Sequence, residues 1–145
     1  MTKNITLSYF IAPYSPDFAV PIVPTQSLLF RFSALTFNAH AIHLDAQYAC
    51  NVEGYRNLLV HGPLTLVLML SALRSQLKGG KMVTKFDYRN LAPLYADEEL
   101  RVCVRKDPVR QGNSQMEKYD VWIEGRGGGY AVKGSALVSY QLSKV

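Results

Sequence analysis

The most continuous apolar stretch of the chain runs from Leu64 to Lys78, and its pattern predicts a buried helix. Apolar side chains occupy almost every side of this helix, which is typical of a helix in a protein core or in lipid. A helix of about 15 residues spans only about 22 Å, which is short for a bilayer. Pro63 suits the first helical position, and Gly79 suits the C-terminal stop. We therefore predict a core helix whose N-terminus, beside His61 and Gly62, carries free backbone N–H groups.

The second half of the chain has the period of strands instead. Apolar and polar residues alternate over 100–105, 118–124 and 132–142, and 82–89 has the composition of a further strand. Such alternation is typical of antiparallel strands with one buried face and one solvated face. One buried helix followed by about four such strands predicts an α+β fold, with an antiparallel sheet curled round the central helix.

The first half is less regular. Four prolines in residues 13–24 predict that 1–24 forms an irregular arm along the surface or a partner, ahead of one folded domain over 25–145. The apolar run 27–37 is too short for periodicity to separate strand from helix. Asp45 is placed to cap a short helix over 46–50.

Composition and charge narrow the classes of function. A chain of 145 residues with 48% hydrophobic content suits one globular domain. The net charge of +5 comes from scattered Lys and Arg residues, so we expect no nucleic-acid partner, whereas a phosphate-bearing small carrier suits this charge. We expect no membrane association.

The predicted location follows from weaker signals. Two cysteines, Cys50 and Cys103, suggest a reducing compartment, and the N-terminus lacks the features of a secretory or transit peptide. The final residues Ser143 to Val145 approach a peroxisomal signal but end in Val. We expect an intracellular and cytoplasmic protein, with mitochondrial and peroxisomal locations as alternatives.

All three histidines lie between positions 40 and 61, and three interpretations of them stay open. In the first interpretation they are structural side chains bonded to the backbone. In the second, His40, His43 and His61 form a metal site, which the lack of neighbouring Cys or Glu ligands disfavours. In the third interpretation His43 acts as a general acid or base, because imidazole titrates near pH 6.5, and Asn38 or His40 positions a water or a substrate oxygen.

Gly62 favours the third interpretation. A glycine at a helix N-terminus lets a ligand oxygen approach the free N–H groups there. Removal of a proton alpha to a carbonyl places negative charge on that oxygen, and preorganised N–H donors stabilise it. The alternative is that Gly62 only permits a tight turn into the helix.

Three segments together resemble the hydroxyacyl-thioester dehydratase type 2 family, which belongs to the MaoC-like, (R)-specific enoyl hydratase group. They are Phe30 to His43 (FRFSALTFNAHAIH), Val52 to Tyr55 (VEGY) and Val60 to Leu64 (VHGPL). The later stretch Tyr88 to Tyr95 (YRNLAPLY) agrees in layout.

The resemblance implies a single hot-dog domain, a homodimer with continuous sheets, and reversible hydration of an enoyl thioester on coenzyme A or acyl carrier protein. His43 matches the catalytic histidine of the wider group, and Gly62 matches the backbone donor to the thioester carbonyl. The wider group has an Asp five residues before that histidine, where this chain has Asn38, and an Asn where this chain has His40. Asn38 can orient a water but cannot carry a proton, so proton transfer falls to His43 alone or to His43 with His40.

We therefore predict a dehydratase or hydratase of 3-hydroxyacyl and 2-enoyl thioesters that needs no cofactor and no metal. His43, Asn38 and His40 are the predicted catalytic residues, with Gly62 at the carbonyl and with His61 and Phe37 as substrate-binding residues. One alternative is dehydration or cyclisation of an intermediate that is not a thioester. The other is a non-catalytic hot-dog subunit that binds an acyl carrier.

Overall fold

The computed structural model describes residues 11–108 and 116–140. Its strands are β1 (Phe18–Ile22), β2 (Lys81–Asn90), β3 (Leu100–Lys106), β4 (Met116–Glu124) and β5 (Tyr130–Tyr140). Its helices are α1 (Gln26–Thr36), α2 (Ala46–Asn51) and α3 (Gly62–Gln76), with a 3-10 turn at Ala41–His43 between the first two.

The predicted core helix is α3. Pro63 lies in its first turn, and its buried residues are Leu64, Thr65, Met69, Ala72 and Leu73. It packs against β1, β2, β3 and β4. The helix ends at Gln76, and Gly79 and Gly80 then adopt positive φ angles that favour glycine. The prediction of a buried helix between Pro63 and the two glycines is confirmed.

The five strands form one antiparallel sheet in the order β1-β3-β4-β5-β2. Alternate residues along a strand point to the inner face of the sheet, which faces α3, and those of β3, β4 and β5 are buried there. This inner face supplies Val102, Val104, Tyr119, Val121, Ile123, Val132, Ala136 and Val138 to the core. An antiparallel sheet wrapped round one central helix is the α+β hot-dog architecture, which confirms the predicted fold class and the four predicted strands.

The prediction of an irregular arm over 1–24 is wrong for residues 18–22. They form β1, which pairs with β3 so that Phe18 lies opposite Val104 and Ile22 opposite Leu100. Pro21 is tolerated within β1 because this strand lies at the edge of the sheet and pairs on one side only. Residues 1–10 of the predicted arm, and the tail Ser143 to Val145, lie outside the described residues.

The undecided run 27–37 is helical. The Thr25 side chain accepts a hydrogen bond from the Leu28 N–H at 3.2 Å and caps α1. The helix stops at Phe37, whose φ of 53° is left-handed, so that the Asn38 N–H donates to the Ser33 carbonyl at 2.9 Å. The predicted cap of α2 is also confirmed, because the Asp45 carboxylate accepts from the Tyr48 N–H at 3.0 Å. These helix ends place the residues at 38–43 beside the start of α3.

Candidate active site

His43 ends the 3-10 turn with its imidazole buried. Its Nδ1 lies 2.7 Å from the Leu59 carbonyl oxygen. A carbonyl can only accept, so Nδ1 must carry the proton, and the neutral ring has its lone pair on Nε2. The Leu59 peptide is itself held, because its N–H donates to the Ile42 carbonyl at 3.0 Å. The backbone therefore fixes His43 in the tautomer in which Nε2 is a base.

The surroundings of His43 favour its neutral form. Burial lowers the pKa of His43 below its ordinary value of 6.5, and the nearby His40 lowers it further, whereas the hydrogen bond to Leu59 acts in the opposite direction. Burial disfavours the imidazolium because the charged ring loses its hydration. At neutral pH the Nε2 lone pair is thus free to take a proton.

His61 stacks directly on His43. The two ring centroids are 3.8 Å apart and the planes differ by 21°. His61 is 0% exposed, and its Nε2 lies 2.8 Å from the Ser33 hydroxyl oxygen. Burial and the adjacent His43 lower the pKa of His61 to about 4. A neutral ring against His43 adds no positive charge to the site, and among the described side chains the Nδ1 atom of His61 has no hydrogen-bond partner.

His40 and Asn38 lie on the solvent side of His43. The His40 and His43 ring centroids are 6.1 Å apart. Nδ1 of His40 accepts from the Ile42 N–H at 3.4 Å, so the N–H of a neutral His40 ring is at Nε2. Asn38 accepts the His40 backbone N–H at its Oδ1, at 3.1 Å. This bond uses the Asn38 carbonyl oxygen to shape the turn that carries both histidines.

Gly62 begins α3 and follows His61 directly, so its N–H lies next to the histidine stack. A Cβ atom added to Gly62 would lie 2.9 Å from Nδ2 of Asn90, which is too close for a real side chain. The Thr65 hydroxyl joins the same group, at 2.6 Å from the Gly62 carbonyl oxygen and 3.3 Å from Oδ1 of Asn90. The absence of a side chain at Gly62 therefore leaves room for the Asn90 amide.

Asn90 was missed by the sequence reasoning. It ends β2, far along the chain from the histidines, and nothing in the local pattern sets one strand-end Asn apart from another. The only signal was its presence in the YRNLAPLY stretch that agrees with the family layout.

An open groove of about 630 Å³ meets the site at His43. It is lined by Gln26, Ser27, Phe30, Arg31, His43, Leu44 and Leu58. Phe37, predicted to bind substrate, is 96% exposed and does not line this groove, and neither do Asn38, His40 and Gly62. Within the single chain the structure thus unites His43, His61 and Gly62, with His40 and Asn38 at one side and Phe37 apart.

Within residues 11–108 and 116–140, no cluster of three or more His, Cys, Asp or Glu side chains is arranged to hold a metal ion. Both nitrogens of His61 are buried, with Nε2 bonded to Ser33. In the same part of the chain, no helix has the length and apolar content that crossing a membrane requires.

The fold places this chain in the hot-dog class. A solved structure described as an (R)-hydratase from A. caviae involved in PHA biosynthesis superposes with a TM-score of 0.77 over 88% of this chain and 97% of that one, at 22% identity. A MaoC-like dehydratase from Rhodospirillum rubrum superposes with a TM-score of 0.67 over 89% and 94%, at 16% identity. Likeness at these identities concerns the fold.

The sequence specifies the family. The family model for hydroxyacyl-thioester dehydratase type 2 matches residues 3–96, and the chain belongs to this family. A mesaconyl-C(4)-CoA hydratase of Chloroflexus aurantiacus is 46% identical over 89 residues, which are 61% of this chain and 31% of that protein. The mitochondrial hydroxyacyl-thioester dehydratase type 2 of Schizosaccharomyces pombe is 40% identical over 105 residues, or 72% and 34%. The chain thus spans about a third of the length of these curated relatives.

Proposed function

We propose that the protein is a hydro-lyase that interconverts 3-hydroxyacyl and 2-enoyl thioesters carried on coenzyme A or acyl carrier protein. The observation that carries the proposal is the state of His43: its Nδ1–H is bonded to Leu59, so that Nε2 carries the lone pair, and its ring stacks on the residue before Gly62. A base and an N–H donor at a helix start are the two groups that addition of water to an enoyl thioester needs. Family membership and the names of the relatives support the same reaction class.

The hydration step uses His43 as the base. Water adds to C3 of the enoyl thioester while its proton passes to Nε2 of His43, and the electron pair of the C2–C3 double bond moves onto the thioester as an enolate. The His43 imidazolium then returns a proton to C2, which restores the neutral base and gives the 3-hydroxyacyl product. Dehydration runs through the same steps in reverse.

The enolate oxygen lies at the start of α3 in this proposal. The Gly62 N–H is one of the helix-terminal donors without an intrahelical partner, and the helix dipole adds partial positive charge there. Negative charge that develops on the thioester oxygen is stabilised by both. His61 is a neutral, buried ring that packs against His43.

His40 and Asn38 hold the water or the substrate hydroxyl. The Nε2–H of a neutral His40 ring donates to the water oxygen from the solvent side, and the centroid of this ring lies 6.1 Å from that of His43. Asn38 uses its Oδ1 for the His40 backbone, so its Nδ2 supplies the remaining amide donor. Neither side chain needs to carry a proton.

The carrier and acyl chain use the groove beside His43. Phe30, Leu44 and Leu58 supply apolar contacts there, and Arg31 supplies a positive charge suited to carrier phosphates. Phe37 contacts the acyl chain only in an assembly that covers it, since it is 96% exposed in one chain.

That exposure supports a homodimer. The edge strand β2 and the helix α1 both leave large apolar side chains in solvent, among them Met82, Phe30 and Leu35. Exposed apolar surface of this kind marks a partner site, and a second copy of this chain is the proposed partner. We place the protein in the cytoplasm, and the mitochondrial location in the name of the S. pombe relative supports mitochondria as the alternative.

The test is an activity assay of purified protein with crotonyl-CoA and a panel of longer and branched enoyl thioesters. Wild type should hydrate at least one thioester, and His43→Ala should lower kcat by about 10²–10⁴-fold, the usual contribution of a general base. Gln47→Ala, an exposed position on α2, is a matched control that should keep wild-type rates. No hydration of any thioester, or equal rates in wild type and His43→Ala, would contradict the proposal.

The same assay separates the two alternatives. Turnover of free acids but not of thioesters would favour a recruited enzyme acting on a non-thioester intermediate. Acyl-carrier binding without turnover would favour the non-catalytic subunit, although the stack of His43 on His61 supports an enzyme.

A further inference from the structure

We propose that the Asn90 side-chain amide is a second hydrogen-bond donor to the thioester carbonyl oxygen, beside the Gly62 N–H, and that Thr65 positions it. The inference rests on the proposed function, since it adds one residue to the same site. Asn90 is thereby assigned a catalytic role and Thr65 a positioning role.

The space beside Gly62 is occupied by the Asn90 amide. In a helix the Cα–Cβ bond tilts toward the N-terminus, so the Cβ position of Gly62 lies on the side to which its free N–H points. Asn90 Nδ2 lies 2.9 Å from that position. The amide of a residue on β2 therefore stands against the helix start, and a substrate oxygen that reaches the Gly62 N–H meets the Asn90 amide as well.

Thr65 orients the Asn90 amide. Thr65 Oγ1 is 3.3 Å from Asn90 Oδ1 and 2.6 Å from the Gly62 carbonyl oxygen, so the Thr65 hydroxyl is a donor within reach of both acceptors. Thr65 is 2% exposed and lies on the first turns of α3, so this anchor moves with the helix start. With Oδ1 turned toward Thr65, Nδ2 and its two hydrogens face Gly62.

A ligand can reach the Asn90 side chain from solvent. Asn90 is an exposed residue although its Nδ2 lies beside Gly62 at the start of α3. The neighbouring His61 Nδ1 is a fully buried polar atom with no partner among the described residues, which marks the same helix start as incompletely satisfied. A carbonyl oxygen bound here receives N–H groups from the backbone and from Asn90, and the His43 ring stacks on His61, the residue before Gly62.

Two donors have a specific chemical consequence. The thioester oxygen is nearly neutral in the bound substrate and carries negative charge in the enolate, so a donor aimed at it binds the transition state more tightly than the ground state. Loss of the Asn90 donor should therefore reduce kcat and leave KM little changed.

The first experiment compares Asn90→Ala, Asn90→Asp and Thr65→Val with wild type, using the thioester that wild type hydrates best. Loss of one such donor typically lowers kcat by about 10²-fold or more, so we expect that loss in Asn90→Ala with KM within about threefold. Asn90→Asp, which replaces the donor by an anion, should be at least as impaired, and Thr65→Val should lose about tenfold.

Lys85→Ala, on the same strand and exposed, is the matched control and should keep wild-type kinetics. Wild-type kcat in Asn90→Ala, with circular dichroism showing a folded protein, overturns the inference.

The second experiment reads carbonyl polarisation without turnover. The absorption band of 4-(dimethylamino)cinnamoyl-CoA moves to longer wavelength when its thioester oxygen accepts hydrogen bonds. Wild type should shift the band, and Asn90→Ala should bind the probe with a smaller shift, which a purely structural role for Asn90 would not produce. An equal shift in both proteins, or none in wild type, overturns the inference. If wild type hydrates no thioester but the shift depends on Asn90, the proposed reaction fails and the donor role stands.

Discussion

The histidine pair at the start of α3 combines two buried rings that differ in their partners. His43 is oriented by a backbone carbonyl that leaves the lone pair on Nε2, whereas His61 is oriented by Ser33 and is 0% exposed. Both rings have a lowered pKa, chiefly because burial disfavours the charged form. His43 is therefore suited to accept a proton, and the stacked His61 ring is suited to hold the His43 ring in place.

The pH dependence of activity should report His43. A base must be unprotonated to act, and the pKa of His43 lies below 6.5, so kcat/KM should be constant at neutral pH and fall as the pH drops through a midpoint below 6.5. The measurement is a pH–rate profile with crotonyl-CoA or the preferred thioester, with protein stability checked at each pH. A midpoint clearly above 6.5 on the acidic limb would show that His43 is not the neutral base described here.

Among the secondary-structure elements, the strands are joined at one end of the sheet by a charge network. The Glu117 carboxylate on β4 accepts from Lys81 on β2 at 2.9 Å, from Lys106 on β3 at 2.7 Å and from the Tyr119 hydroxyl at 3.0 Å. Burial raises the pKa of Glu117, but the hydrogen bonds from Lys106, Lys81 and Tyr119 outweigh it and lower this pKa to about 2. One carboxylate thus links three strands.

Replacing this carboxylate should destabilise the sheet. We expect Glu117→Gln to lower the free energy of unfolding by about 1–2 kcal/mol, because hydrogen bonds to a charged, partly buried group contribute more than exposed pairs do. The depressed pKa adds a pH signature: the stabilisation is present above about 4.5 and is lost as the pH falls from 4.5 toward 2. Urea unfolding at several pH values measures both. Asp87→Asn, which breaks the exposed Lys85–Asp87 pair, is the control with an expected change near zero. An equal effect of both substitutions would assign Glu117 no special role.

At the scale of the whole molecule, several large apolar side chains stay exposed to solvent in a single chain. Phe30, Leu35 and Phe37 lie on or just after α1, which also lines the groove beside His43. A second copy that covers this region would bury Phe37 and enclose the groove at the same time. Full activity would then require the dimer.

Sedimentation equilibrium should show a mass near twice the 16.2 kDa of one chain. The double substitution Leu35→Ser and Phe37→Ser should shift the protein toward monomer and lower its specific activity, because it removes apolar area from the proposed contact. Wild-type specific activity should also fall on dilution below the dissociation range. A monomeric wild type with full activity would exclude this assembly.

Much of this protein was predictable from short-range pattern. The apolar run behind Pro63 predicted α3, alternation predicted β3 to β5, composition predicted β2, and Asp45 predicted the cap of α2, because each depends on residues a few positions apart. The same local pattern put His43 and Gly62 forward as candidate site residues, and their roles stay predictions. The conformation of residues 18–22 was predicted wrongly, since only β3 decides that a proline-containing segment pairs as an edge strand.

Tertiary packing decided the remainder. It chose helix over strand for α1, whose apolar run fits either, and it brought Ser33 from that helix to His61. It also placed Asn90 of β2 against Gly62 and stacked His43 on His61. These contacts join residues far apart in the chain, and their geometry depends on how the sheet curls round α3. The local pattern could name the chemical groups of the site, but only the packed sheet and helix could specify which of them meet.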